Sequence, residues 1–221
     1  MNYSFDETAG ISQNGARKVL EGNAIYDVTF DGCEARDIEG KQDPTKVFHV
    51  LDIKFSNDDG VFTHTVFEPT PEDMQDTQGS FGPQPSRVKG MMLLFKHLID
   101  AVNPTLAQAI DKKEKNLNTT SWDALRKLMV QATDPGKGTQ TKIKLFKKTS
   151  NGAAIFPAFF ANYNKDGKLY MSTNFIGNHV FFTNKELDRI ARANEATPTD
   201  VASLDVNPTA QVDSTDFNFD I

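Results

Sequence analysis

The 221-residue sequence has little cysteine and no long apolar segment. A single cysteine, Cys33, excludes an intramolecular disulfide framework and any zinc site built from several cysteines, and it fits a reducing cytoplasm. No run of eighteen apolar residues occurs, so no transmembrane helix is expected. The polar, acidic N-terminus does not have the pattern of a signal or transit peptide. We therefore expect a cytoplasmic protein without a membrane partner.

Residue patterns that support catalysis or metal binding are also scarce. No metal-ligand spacing connects the four histidines, which are His49, His64, His97 and His179. His49 and His64 fall on paired predicted strands and could approach each other. A metal bound by this pair is an alternative that we do not favour, because two histidines alone do not form a ligand set. Residues 134–139 lack the first glycine of a phosphate loop and follow a predicted helix, which argues against nucleotide hydrolysis. Carboxylates do not cluster as two-metal nucleases require, and Cys33 reads as a small buried apolar group. We predict no enzyme, no cofactor and no metal.

Charge is distributed unevenly along the chain. The sequence has 24 basic and 30 acidic residues, for a formal net charge of -6. Residues 197–221 hold five aspartates and no lysine or arginine, so the preceding part is almost neutral. Such an arm buries too little apolar surface to offset its ordering entropy, and we expect it to be disordered. It is either a solubilising end or a protein-binding arm. Its apolar tip favours partner binding through Asp213, Asp216, Phe217, Phe219, Asp220 and Ile221.

The spacing of apolar residues predicts strands on both sides of a helical segment. Period-two alternation predicts strands at 24–30, 47–55, 61–67, 139–149, 154–163 and 168–173. The first three should form a meander, with a bulge at Gly32 and a polar loop at 36–45. Helical spacing with capping signals predicts helices within 87–133, one of them capped by Thr120, and a last helix at 184–194.

This order of elements is that of an OB fold, a five-stranded barrel that commonly binds oligonucleotides or oligosaccharides. The predicted fold class is mainly β, with helices between strands 3 and 4, one C-terminal helix and a disordered acidic tail. The predicted domains are an N-terminal lead-in at 1–23, an OB-fold domain at 24–196 with a helical insertion at about 87–133, and the tail at 197–221.

One predicted strand combines basic and aromatic residues. Residues 137–148 contain five lysines and no acidic residue. At period two, Ile143 and Leu145 face the core, while the other face presents Lys142, Lys144, Phe146 and Lys148. Cations for phosphates and a ring for a base are what single-stranded DNA requires. An edge strand that lysines merely protect from pairing is the alternative. Further DNA contacts are predicted for Lys54, Phe48, Phe160, Tyr163 and Tyr170.

Three features together resemble the single-stranded DNA-binding proteins of tailed bacteriophages. They are the meander at 24–67, the basic strand at 142–148 with the following Phe159-Phe160, and the tail ending Asp216-Phe217-Asn218-Phe219-Asp220-Ile221. The resemblance implies that the barrel holds single-stranded DNA while the tail contacts a polymerase, helicase or recombinase. Such a protein would coat DNA without sequence specificity during phage replication, recombination and repair, in the host cytoplasm. A non-catalytic, β-rich structural or assembly protein of a virion is the alternative.

Overall fold

The computed structural model describes most of the chain between Lys18 and Glu195. The described ranges are 18–41, 43–79, 82–115, 119–148, 151–157 and 160–195. The predicted tail at 197–221, and with it the predicted partner-binding residues, lies outside them, as does most of the lead-in. The chain divides into two compact units after Phe182. Helix α4 (Asn184–Glu195) belongs to the second unit, and a capping box between Thr183 and Glu186 closes its N-terminus, as the sequence predicts.

The first three strands form the predicted meander. Strands β1 (Ala24–Glu39), β2 (Val47–Asn57) and β3 (Gly60–Phe67) pair antiparallel in sequence order. The predicted bulge is confirmed, because the register between β1 and β2 shifts between Phe30 and Gly32. The predicted loop start at residue 36 is wrong, since β1 continues to Glu39 and pairs there with β2. Backbone hydrogen bonds to β2 hold this polar end of the strand in the sheet. The pattern of apolar residues does not reveal such bonds.

Two more strands complete the main sheet. Strand β6 (Gln140–Lys147) pairs with the free edge of β1, and β7 (Ala154–Ile155) pairs with β6. The result is a mainly β architecture around a five-stranded antiparallel sheet, ordered β3-β2-β1-β6-β7, that curls into a half-barrel.

Two small hairpins lie outside the main sheet. One joins β4 (Thr77–Gly79) to β5 (Gly82–Gln84), and the other joins β8 (Ala161–Tyr163) to β9 (Leu169–Met171). The prediction of one strand over 154–163 is therefore wrong. Pro157 offers no backbone N–H to a ladder, and the chain leaves the main sheet before it.

Three helices lie between β5 and β6. They are α1 (Arg87–Val102), α2 (Pro104–Asp111) and α3 (Trp122–Thr133). Ser121, and not the predicted Thr120, caps α3, because its Oγ accepts a hydrogen bond from the backbone N–H of Ala124 at 3.2 Å. Within the described ranges, no helix has the length and apolar character needed to cross a membrane.

The core lies between the inner face of the curled sheet and helix α1. Alternation turns Phe30, Ile53 and Phe55 inward, and each is completely buried. Each such side chain contributes about 1.5–3 kcal/mol of burial free energy. The same cluster includes, from α1, β6 and the segment after β9, Leu94, Phe95, Leu98, Ile99, Ile143, Leu145, Phe175 and Ile176.

Helix α3 is fastened to the end of the β1–β2 pair by a buried arginine. The Arg126 guanidinium donates to the backbone carbonyls of Arg36 at 2.9 Å and Val50 at 3.2 Å, and to the Asp37 carboxylate at 2.9 Å. Trp122 Nε1 donates to the backbone carbonyl of His49 at 2.8 Å. These bonds fix the backbone from which Arg36 and Val50 project to the other side of the sheet.

Candidate nucleic-acid interface

The meander has an outer face that helix α1 does not cover. Because side chains alternate along each strand, residues next to the inward Leu51 and Ile53 project outward. The register aligns Arg36, Val50 and Phe67 in one row across three strands, and Glu34, Asp52 and Thr65 in the next. We call this surface the outer sheet face; it consists of Glu34, Arg36, Phe48, Val50, Asp52, Lys54, Thr63, Thr65 and Phe67.

An aromatic pair lies at one end of the outer sheet face. The Phe48 and Phe67 rings meet edge to face, with centroids 6.0 Å apart and planes at 86°. Lys46 Nζ lies 4.8 Å from the centroid of the Phe48 ring, within the range of a cation–π contact. Both rings are only half-buried, so they offer apolar surface to a ligand beside a positive charge.

A buried carboxylate accepts hydrogen bonds from two side chains in the middle of this face. Asp52 is 2% exposed, accepts a hydrogen bond from Thr65 Oγ1 at 2.7 Å, and also accepts one from Arg36 Nε. This hydrogen bond to Asp52 raises the pKa of Arg36 further above its ordinary value. Beside it, Lys54 Nζ forms an ion pair with Glu34. The outer sheet face is thus rich in charged groups but almost balanced in charge.

The lysines of β6 are less accessible than the sequence predicts. Lys142 lies on the outer side as expected, where its Nζ pairs with Asp27 at 2.6 Å. The edge of the Phe146 ring contacts Phe182 across 5.6 Å between centroids. Lys148 follows the end of β6 and is half-buried, whereas Lys147 before it is exposed.

Lys144 is wrongly predicted as part of an exposed row. Alternation does turn it outward, but the segment at 173–182, which bridges to the edge of β6 at Ile176, encloses its side chain and leaves it 1% exposed. Its ammonium donates to Thr173 Oγ1 at 2.7 Å and to the backbone carbonyl of Phe181 at 3.0 Å. It also lies 5.5 Å from the centroid of Phe182. Period two indicates the side of a strand, and it carries no information about a covering segment thirty residues away.

The remaining predicted contacts fall in two other places. The Phe160 ring packs against Phe175, with centroids 4.8 Å apart, so it extends the core instead of standing free as a platform. Tyr170 is 44% exposed on β9 and lies in register with Asn162. The Tyr163 hydroxyl donates to Asp76 Oδ2 at 2.7 Å and accepts from Lys89 Nζ at 2.8 Å.

A polar groove surrounds the Tyr163 cluster. Hydrogen bonds from Lys89, Tyr163 and the Ser86 backbone N–H lower the pKa of Asp76 to about 2. The groove has a volume of about 720 Å³, and its wall includes Asn162, Asn164 and Lys165. Tyr163 is therefore held by its hydroxyl group at a polar site separate from the main sheet.

The cysteine and the two paired-strand histidines have structural positions and do not form a reactive or metal-binding site. Cys33 is buried, and this burial raises the pKa of its thiol to about 11, as befits a small apolar group. His64 packs against Phe156, with ring centroids 5.0 Å apart. It pairs with Ile53, four residues along β2 from His49, so the two histidines are offset by about 13 Å along the strand direction and lie on neighbouring strands. Among the residues described, no three His, Cys, Asp or Glu side chains converge as metal ligands.

Comparison with protein families, curated proteins and solved structures found no match to this chain. The structure brings two predicted residues, Phe48 and Lys54, onto the outer sheet face. It adds Arg36 and Phe67 on that face and Lys46 beside it, none of which the sequence pattern predicts. The assignment of residue 36 to a loop hid Arg36. Phe67 could have been found from its alternation with Thr65 along β3.

Proposed function

We propose that the protein binds single-stranded DNA on the outer sheet face, without catalysis and with broad sequence tolerance. The observation that carries this proposal is the Phe48–Phe67 pair, half-buried on strands β2 and β3 and flanked by Lys46. In OB folds, the face of the second and third strands is where oligonucleotides lie, and the curled meander fits that architecture. Base stacking on such rings is tolerant of sequence because every base has a π-face.

Cations around the rings would supply the electrostatic attraction for the DNA phosphates. Lys46 is exposed beside the Phe48 ring, and Lys54 stands on the same face, two rows from Phe67. Lys142, Phe146 and Lys148 on and after β6 remain proposed contacts for a longer strand of DNA, together with Tyr170. Each lysine that exchanges its carboxylate partner for a phosphate releases a counterion from the DNA, which makes affinity dependent on salt.

The biological setting follows from the resemblance to phage single-stranded DNA-binding proteins. The protein would coat displaced strands during replication, recombination and repair in an infected cell. The acidic tail, with its terminal Phe217, Phe219 and Ile221, would recruit a polymerase, helicase or recombinase. A basic pocket with an apolar floor is the partner chemistry that fits this tail.

A binding titration tests the proposal. A fluorescently labelled, unstructured thymidine oligonucleotide should bind at about 50 mM salt and weaken at about 200 mM, with a log-log slope near −0.7 per neutralised phosphate. Anisotropy measures both, and a blunt duplex of equal length serves as the control, which should bind more weakly. Absence of binding to the oligonucleotide at the lower salt concentration would exclude the function.

One set of observations favours a second candidate, a β-rich virion structural or assembly protein. Arg36, Lys54 and Lys142 all pair with carboxylates, which suits a protein interface better than a phosphate backbone. Under that function the Phe48–Phe67 surface contacts another subunit. The same titration separates the two, because a structural protein shows no salt-dependent affinity for the oligonucleotide.

A further inference from the structure

Arg36 is the most firmly positioned exposed cation on the outer sheet face. Its Nε donates to Asp52, and the opposite carboxylate oxygen of Asp52 is held by Thr65 Oγ1 at 2.7 Å. Asp52 is itself buried, so water does not compete for this bond. The backbone carbonyl of Arg36 is fixed in turn by Arg126. Both ends of the Arg36 residue are therefore held in place.

The outer end of this guanidinium is open. The Arg36 side chain is 40% exposed, and within the described ranges every hydrogen bond and ion pair that it donates uses Nε. Nη1 and Nη2 thus present N–H groups at the rigid spacing that suits two adjacent acceptors. Arg126 differs in this respect, because its Nη atoms are occupied by Asp37, Asp123 and backbone carbonyls.

The ion pair changes what this guanidinium can recognise. A phosphate contact gains affinity because a cation replaces counterions on the DNA. Asp52 already balances the charge of Arg36, so a phosphate gains little there and would lie near a carboxylate. The directional hydrogen bonds of the free Nη groups do not depend on net charge. The geometry therefore favours a neutral ligand with acceptors, such as the edge of a base.

The row across the sheet supplies a place for that base. Arg36 and Phe67 flank the apolar Val50, and two strand spacings put their backbones about 10 Å apart. Val50 is completely buried between them, so the base would lie against the half-buried Phe67 ring and not on Val50. Its edge would then turn toward Arg36, with the ring on one side and the two donors on the other.

Resting on the proposed DNA-binding function, we propose that Arg36 is a base-reading residue, selective for bases with two adjacent acceptors. Guanine offers O6 and N7, and cytosine offers O2 and N3 on its pairing edge, which is open in a single strand. Adenine and thymine have a donor beside each acceptor on those edges and cannot accept both hydrogen bonds. One subsite of an otherwise sequence-tolerant surface thus carries a base preference.

The test uses thymidine oligonucleotides that carry a single central dG, dC or dA. A bidentate contact predicts at least about fivefold tighter binding for dG or dC than for dA or all-dT. Replacing dG by 7-deaza-dG removes N7 and should abolish a guanine preference, whereas a cytosine preference shows directly in the dC oligonucleotide. Equal affinity for all four oligonucleotides would overturn the proposal. Failure to bind any of them would instead overturn the DNA-binding function itself.

Two variants connect the preference to Arg36. Arg36→Lys keeps the charge but loses the planar fork, so the ratio of dG or dC affinity to dT affinity should fall to about one. Lys54→Gln on the same face is the matched control and should keep the ratio. Asp52→Asn leaves Arg36 unbalanced, so the ratio should fall while the salt slope steepens by about 0.7. A ratio that survives in Arg36→Lys contradicts the proposal; if that variant does not fold, the 7-deaza-dG and dC comparisons on the natural chain decide.

Discussion

Phe48 and Phe67 meet edge to face on the outer side of the sheet, with ring centroids 6.0 Å apart. They come from neighbouring antiparallel strands and are diagonal neighbours, because Phe67 pairs with Val50 and Phe48 lies two residues before it. The twist of the sheet brings such diagonal side chains within reach of each other. One ring braces the other, so a surface that faces solvent holds two aromatic groups in a fixed orientation.

Freeing Lys142 should strengthen DNA binding. Asp27→Asn removes the carboxylate that pairs with Lys142 across 2.6 Å, and the released ammonium can neutralise a phosphate. We expect tighter binding at low salt and a log-log salt slope steeper by about 0.7. Stability should change by less than about 1 kcal/mol, because the pair is exposed. Asp100→Asn, which removes a charge from a pair on α1, is the control and should leave the slope unchanged. An unchanged slope in Asp27→Asn would remove Lys142 from the interface.

Lys144 should matter for folding and not for DNA affinity. Lys144→Ala removes a buried side chain and leaves Thr173 Oγ1 and the Phe181 carbonyl without their donor, which should cost about 1–3 kcal/mol of unfolding free energy. Urea denaturation measures this loss. Lys147→Ala, at an exposed lysine of the same strand, is the control and should change stability by less than about 0.5 kcal/mol. A stable Lys144→Ala variant with a flatter salt slope would instead make Lys144 a phosphate contact.

Acid should destabilise the fold through His64 before most carboxylates titrate. Burial lowers the pKa of His64 to about 4, whereas an unfolded histidine titrates near 6.5. The unfolded state therefore binds the proton more readily, so this stability is complete above about pH 6.5 and is lost as the pH falls toward 4. The loss approaches about 3 kcal/mol.

Denaturation at several pH values between 7 and 4.5 measures this effect. His64→Leu should flatten the dependence on pH over that range, because the leucine has no proton to bind. His179→Gln, at an exposed histidine, should keep the slope of the natural chain. A His64→Leu variant with an unchanged slope would assign the acid sensitivity to another group.

Alternation along the sequence predicts the meander and its two faces, because alternation is a property of each strand by itself. It places Phe48 and Lys54 on the correct side of β2 for that reason. The pairings that give the outer sheet face its chemistry are non-local, and the bond of Arg36 to Asp52 depends on register. The burial of Lys144 depends on the segment at 173–182, which bridges to the edge of β6 and accepts hydrogen bonds from the lysine. Neither the Arg36–Asp52 bond nor the burial of Lys144 can be predicted from the spacing of residues along the sequence.

Replacing both rings of the aromatic pair tests whether the outer sheet face binds DNA. Phe48→Leu with Phe67→Leu keeps apolar bulk but removes the π-faces, whereas the matched Phe48→Tyr with Phe67→Tyr keeps them. Stacking contributes about 1–3 kcal/mol per base, so the leucine pair should bind a thymidine oligonucleotide at least about tenfold more weakly and the tyrosine pair should retain tight binding. Thermal unfolding verifies that both variants are folded. A folded leucine pair that binds DNA as tightly as the natural chain would show that the two rings do not form a DNA-binding surface.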